Sequence, residues 1–312
     1  MKARANGTRF SKSNRSTLLD SIPIVDITIF FIQLLNSLQY GLVLFLVASG
    51  LTLIFGIMGI INLAHGSFYM LGAWLAWWLT GKIGSFAVAI AAGIVITVVV
   101  GMVLERLIIR RFYNRDHLYQ VLVTYGLILV FEELRSIFWG NDVQSVKVPA
   151  VFDYSIALTE QLSYSVYRLF TTLFCVGVAI ALYLLIKHTK LGMTIRAGAS
   201  NRQMVQSLGI NISLLYMLVF AMGVGLAAFA GLINAPISSV YPNMGGQVMI
   251  MSFVVVVIGG IGSVKGAFVA SLLIGLAETF GQLFIPTMAG MTVYVLMAAV
   301  LLWRPQGLFQ QA

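Results

Sequence analysis

The stretch from Gly56 to Trp74, GIMGIINLAHGSFYMLGAW, sets Asn62 and His65 among apolar residues. The two are three apart, so a helix would carry them on one face. Gly59 and Gly66 flank them, and glycine lowers the cost of non-helical backbone. One use of such residues is a discontinuity whose side chains and freed peptide groups line a polar path. The other is packing, with each side chain making an interhelical hydrogen bond of about 1 kcal/mol. Asn36, Gln39 and Thr52 raise the same two readings in neighbouring apolar segments. Glu278, in GLAETFGQL, is a carboxylate well inside a late apolar segment, which makes it a functional-site candidate.

Other chemistries fail on spacing. Gly259 to Ala267, GGIGSVKGA, imitates a phosphate-binding loop. Such a loop ends in Gly-Lys-Ser/Thr, whereas Lys265 is followed by Gly266 and Ala267. Gly262 and Gly266 instead form a GxxxG that permits close backbone approach at a turn. No cofactor is expected in this chain, and ATP with Mg, if it drives the protein, binds another subunit. His65 has no His, Cys or carboxylate at ligand spacing, so no metal site is expected. No H-E-x-x-H or G-x-S-x-G occurs, so the chain is not read as an enzyme.

A further candidate is TIRAGASNRQMVQSLGIN, Thr194 to Asn211. Ser200 and Gln203 have capping-box spacing, which predicts a short helix near 200–209. Gly209 suits its C-terminal cap. Met204, Val205 and Leu208 form an apolar stripe, with Arg196 and Arg202 near its start. Such a helix either lies on lipid headgroups or docks into a groove on a soluble partner.

These residues must be positioned by membrane-spanning elements. The 312-residue chain is 60% hydrophobic and 9% charged, too apolar for a soluble surface. The basic first 25 residues carry no apolar stretch before a small-residue cleavage site, so they read as a cytoplasmic tail. Residues 26–312 read as one all-α polytopic membrane domain. Apolar segments fall near 27–47, 49–62, 66–81, 86–106, 118–139, 166–186, 215–235, 247–262, 266–284 and 287–303. That gives about ten helices or half-helices, the second and eighth too short for a straight span. The lone Cys175 excludes a disulfide framework.

The net charge of +9 is clustered, which speaks for topology and against a nucleic-acid partner. Thirteen of 19 Lys and Arg fall in three places. These are the tail (Lys2, Arg4, Arg9, Lys12, Arg15), the Arg106, Arg110, Arg111, Arg115 loop, and the Lys187, Lys190, Arg196, Arg202 loop. The positive-inside bias puts all three, and both termini, on the cytoplasmic side. That parity requires 49–62 to cross separately; if it does not, the tail sits outside. Gly140 to Ser165, with Asp142, Asp153 and Glu160, is the longest external segment and reads as a short cap.

Five blocks carry a family resemblance. YGLVLFLVASGLTLIFGIMGIINLAHGSFYMLGAW resembles the signature region of inner-membrane permease subunits of branched-chain amino acid ABC importers, of the LivH type. LERLIIRRFY, LVTYGLILVFEEL, RAGASNRQMVQSLGIN and VVIGGIGSVKGAFVASLLIGLAET follow in order, and the ending LLWRPQGLF also fits. The resemblance covers roughly 35–309. It implies a type II importer-like fold, a homologous LivM-type permease, two cytosolic ATPase subunits and a periplasmic binding protein, in a bacterial inner membrane. It also implies that Thr194–Asn211 holds the ATPase-coupling helix, and that the Asn62–His65 break lies beside the translocation path. Related permeases carry urea, short amides or aromatic carboxylates. A stand-alone channel, or a proton-coupled transporter using Glu278, is the alternative of another class.

Overall fold

The computed structural model describes residues 27–157 and 163–309. The basic tail and Glu160 lie outside the described residues. The described chain is helical apart from short turns and one two-stranded hairpin. Eleven α-helices are present among these residues, six of them long and apolar enough to cross a membrane.

The first helix departs from expectation. The segments 27–47 and 49–62 are one continuous helix, α1, Ile27–Met58. No proline interrupts them, and Gly50 alone, at about 1 kcal/mol against alanine, does not break a helix packed on all sides. At 1.5 Å per residue, 32 residues span about 48 Å, more than the roughly 30 Å hydrocarbon core. A break of six residues follows, and α2 (His65–Ile83) turns back along α1.

α3 (Phe86–Leu107), α4 (His117–Trp139) and α5 (Val166–His188) come next. Two short helices follow, α6 (Lys190–Ser200) and α7 (Arg202–Ser207). α8 (Ile212–Asn234), the half-length α9 (Met244–Gly259), α10 (Val264–Phe284) and α11 (Ala289–Trp303) complete the set. α1, α2 and α8 form the centre, and α3, α5 and α11 turn most of their apolar surface outward.

Small residues set the spacing of the central helices. A Cβ on Gly50 would meet the Gly223 carbonyl at 2.6 Å, and one on Gly41 the Ser271 carbonyl at 2.8 Å. Membrane helices gain little from hydrophobic exclusion of one another, so close backbone contact of this kind supplies the association. The expected GxxxG works at the α9–α10 turn: Gly266 abuts Gly259, and Gly260 and Gly262 take left-handed φ of 95° and 80°.

The packing fixes which ends lie together. α10 runs antiparallel to α1, with Phe30 against Phe280 and Gly56 against Gly262. Asn36 accepts a hydrogen bond from Arg168, at the start of α5, at 3.1 Å. Ile27 therefore shares an end with Val166 and Phe284. The Arg110–Arg115 turn, α6, α7 and Arg304 lie at the opposite end. Among the described residues α1 begins and α11 ends at opposite ends of the bundle, while the N-terminal tail expected on the cytoplasmic side lies outside the described residues. The cause is the single long helix, which removes one expected crossing.

At the Ile27 end, residues 140–157 and 163–165 form a cap. Strands β1 (Ser155–Ala157) and β2 (Ser163–Ser165) pair antiparallel, and Gln144 bridges Val240 through two 2.8 Å backbone bonds. Arg135 anchors the cap: it binds Glu132 at 3.0 Å, donates to Asn141 at 2.8 Å and lies over Trp74.

Candidate functional site

The break between α1 and α2 starts at Gly59, whose φ of 65° is left-handed. An L side chain there costs about 1–2 kcal/mol, so glycine serves the turn. The chain then climbs back beside α1. His65 Nε2 meets the Val47 carbonyl oxygen at 3.0 Å. Val47 lies about 16 Å along the helix from Met58. α2 therefore begins at mid-depth rather than at the end of the bundle. α9 also begins at mid-depth: Gly66 packs directly on Gly245, and Met249 lies beside it.

The expected pairing of Asn62 and His65 on one helical face does not form. Asn62 lies in the break, and His65 opens α2. Both are fully buried. Both amide atoms of Asn62, Nδ1 of His65, Oγ1 of Thr52 and Oγ of Ser252 find no hydrogen-bond partner in the fold. Leaving such groups dry costs about 1–3 kcal/mol each. Gly66 does not loosen the backbone, as its place beside Asn62 predicted; it lies inside α2 and makes room for α9.

Asn36 is half-buried and bridges Gln33 and Arg168, and Gln39 is buried two turns before Val47. Glu278 accepts from Gln282 at 2.9 Å through Oε1, while Oε2 is buried without a partner. No cation pairs with it among the described residues. It stands within electrostatic reach of the Tyr40 phenol, which in turn feels Tyr69 and Tyr241. Tyr69 accepts from Asn234 at 3.0 Å, and Tyr241 donates to Gln247 at 2.6 Å. Tyr69 of α2 is thus tied to Asn234 of α8, and Tyr241 to Gln247 of α9, in pairings that no sequence spacing announced.

At the Arg-rich end, the predicted short helix is present as α7, with its start displaced. Asn201, not Ser200, caps it, accepting from Met204 N at 2.9 Å. Ser200 ends α6 instead, so the Ser200–Gln203 capping box does not form. Gly209, at φ 82°, closes the helix, and Ile210 N reaches the Val205 carbonyl in a Schellman arrangement. The apolar stripe splits: Val205 is buried, whereas Met204 and Leu208 stand exposed. A six-residue helix pressed on the bundle shows i and i+4 outward while i+1 turns in. Arg196 does not face outward to a partner; its guanidinium hydrogen-bonds the Ile186 carbonyl and ties α6 to α5. Arg202 lies over the Tyr216 ring at 5.2 Å, beside a cleft of about 390 Å³ that Tyr113 and Gln206 also line. Tyr113 hydrogen-bonds buried Glu105, and burial with that bond raises its pKa far above the usual phenol value.

Residues 33–302 match the family described as branched-chain amino acid transport system / permease component. A high-affinity branched-chain amino acid transport system permease protein, BraD, of Pseudomonas aeruginosa is 31% identical over 88% of this chain and 94% of that protein. LivH of Escherichia coli K12, of the same description, is 28% identical over 89% of this chain and 95% of its own length. A probable branched-chain amino acid transport permease, LivH, of Methanocaldococcus jannaschii is 25% identical over 88% and 90%. No solved structure matches.

Proposed function

Because the chain belongs to the branched-chain amino acid transport permease family, we propose that it is the membrane subunit of an ATP-driven importer of those amino acids. The match across residues 33–302 carries this reading, together with relatives named for that substrate class rather than for urea, amides or aromatic carboxylates. The partners in the proposal are a LivM-type permease, two ATPase subunits that bind ATP and Mg, and a periplasmic binding protein. The fold in the proposal is type II-like, in a bacterial inner membrane.

The positive-inside bias favours the Arg106–Arg115 turn and the α6–α7 region as the cytoplasmic end. C-terminal Arg304 then lies inside, and Ile27 opens α1 on the external side. α7 is the coupling element of the proposal: Met204 and Leu208 offer an apolar knob to an ATPase groove, with Arg202 beside it. The break runs from Gly59, at the cytoplasmic end of α1, back to mid-depth, where α2 and α9 begin. Discontinuous helices of this kind are tolerated where protein or a polar path receives the free peptide groups. His65, through the Val47 carbonyl, ties that break to α1 beside the path, and Asn62 lies within the break.

The test is uptake of leucine by the assembled importer in proteoliposomes. Uptake should require ATP and all partners, and the chain alone should hydrolyse no ATP. Uptake by this chain alone on a proton gradient would refute the importer reading in favour of a secondary transporter.

A further inference from the structure

The cleft beside α7, about 390 Å³, falls within the roughly 300–1,000 Å³ of small-molecule sites. Among the described residues its lining holds one cation, Arg202, and no carboxylate. The acids nearest the lining in sequence are engaged elsewhere. Glu105 is buried against the Tyr113 hydroxyl, and Asp116 caps α4 through Leu118 N at 3.1 Å. Arg202 pairs with no carboxylate among the described residues. Its guanidinium lies over the Tyr216 ring at 5.2 Å, and Tyr113 meets that ring edge-on with centroids 5.2 Å apart. Stacking of this kind uses the guanidinium face and leaves its in-plane N–H donors to other acceptors. Tyr216 is only 2% exposed, lines the cleft, and has no hydrogen-bond partner for its hydroxyl among the described residues. Buried tyrosine hydroxyls ordinarily find one. The start of α8 adds backbone donors: Asn211 caps Leu214 N at 3.1 Å, and the N–H groups of Ile212 and Ser213 have no acceptor within the helix.

A guanidinium fork, an unpartnered phenol and two helix-start N–H groups around one cleft are complementary to an anion with several acceptor oxygens. A phosphate group meets all three: bidentate bonds from arginine, a hydroxyl donor, and the positive end of a 23-residue helix. Depth selects its source. The apolar span of α8 begins at Ile212, so the cleft stands where hydrocarbon gives way to headgroups. Basic pockets at that level on the cytoplasmic side suit anionic lipid headgroups. We propose that the cleft formed by Arg202, Tyr216 and the first turn of α8 binds the phosphate of an anionic lipid of the cytoplasmic leaflet. The leaflet rests on the charge-bias orientation above, whereas the binding itself does not depend on the importer reading. A headgroup held there ties α7 to α8, because Arg202 opens the one and Ile212 the other. It thereby braces the short helix from which Met204 and Leu208 project.

The experiment titrates the full chain, purified in neutral detergent, with phosphatidylglycerol, phosphatidylcholine or inorganic phosphate. Retained lipid is counted by native mass spectrometry, and affinity is read from the titration. Phosphatidylglycerol should bind saturably and more tightly than phosphatidylcholine. Arg202→Gln should weaken it roughly tenfold or more, as loss of a charge-assisted hydrogen bond does. Tyr216→Phe keeps the ring under Arg202 and should lose several-fold. Lys190→Gln removes a charge from the same end outside the cleft and should change affinity by no more than about twofold. If Tyr216→Phe proves unstable, the contrast of Arg202→Gln with Lys190→Gln decides, since both side chains are exposed. Equal affinity in wild type and Arg202→Gln, or an equal loss in Lys190→Gln, overturns the site. Inorganic phosphate that binds as tightly as phosphatidylglycerol overturns the lipid as its occupant. Arg202→Gln that weakens ATPase docking while lipid binding is unchanged assigns the arginine to a protein partner and overturns the proposal. An importer that carries no amino acid refutes the function above and leaves the lipid titration to stand or fall alone.

Discussion

Leu208→Asp separates a docked α7 from one that rests on the membrane. Leu208 is 70% exposed in the isolated subunit, so the change costs the fold little. Burying a whole leucine side chain gives about 1.5–3 kcal/mol, so the exposed part of Leu208 has about 1–2 kcal/mol to contribute to a groove. At 1.4 kcal/mol per factor of ten, its loss weakens ATPase binding roughly 5–30-fold. An unpaired aspartate in the groove adds several kcal/mol if it stays buried, so the expected loss is tenfold or more. The assay titrates ATPase subunits onto the purified permease pair and follows substrate-stimulated hydrolysis. Ser207→Asp, which places the same charge on an exposed neighbour, should have the smaller effect. Val205→Asp should damage the subunit itself, because Val205 is only 3% exposed. Unchanged affinity and unchanged stimulated hydrolysis in Leu208→Asp would refute docking through this knob.

Gly66→Ala puts a methyl against the Gly245 carbonyl and 2.8 Å from Met249 Cβ. Overpacking of this kind costs about 1–3 kcal/mol, so thermal unfolding followed by size-exclusion chromatography should shift downward. Cysteines placed at Ile27 and at Lys190 should label from opposite sides of the membrane; labelling from the same side would contradict the packing of α1 against α10. His65→Ala removes the 3.0 Å contact with Val47 and should lower uptake while assembly persists. Loss of assembly would show that His65 serves packing alone.

Several features were legible in the chain itself. Apolar runs of near-span length announced α3, α4, α5, α8, α10 and α11, because backbone groups in lipid must bond within their own segment. Gly209 as a helix stop and Gly262–Gly266 as a close turn followed from glycine's freedom at positive φ and its lack of Cβ. The cap of α7 was one residue off because Ser200 and Asn201 are equally good caps, and the choice fell to how α6 ends against α5. The stripe Met204, Val205, Leu208 was visible as composition, but which member turned inward depended on the bundle beneath it.

Where the apolar run from Ile27 to Asn62 bends was decided only in three dimensions. Hydropathy reads length, and two short spans give the same signal as one long helix followed by a re-entrant break. The contact of His65 with Val47 and of Gly66 with Gly245 selects the second. That selection moves Ile27 to the end opposite Arg304. The same folding brings Asn234 to Tyr69, which lie 165 residues apart in sequence. Periodicity reports which face of one helix is apolar, and motifs report residues close along the chain. Neither carries the crossing of separate helices, which steric fit between their glycines and side chains determines.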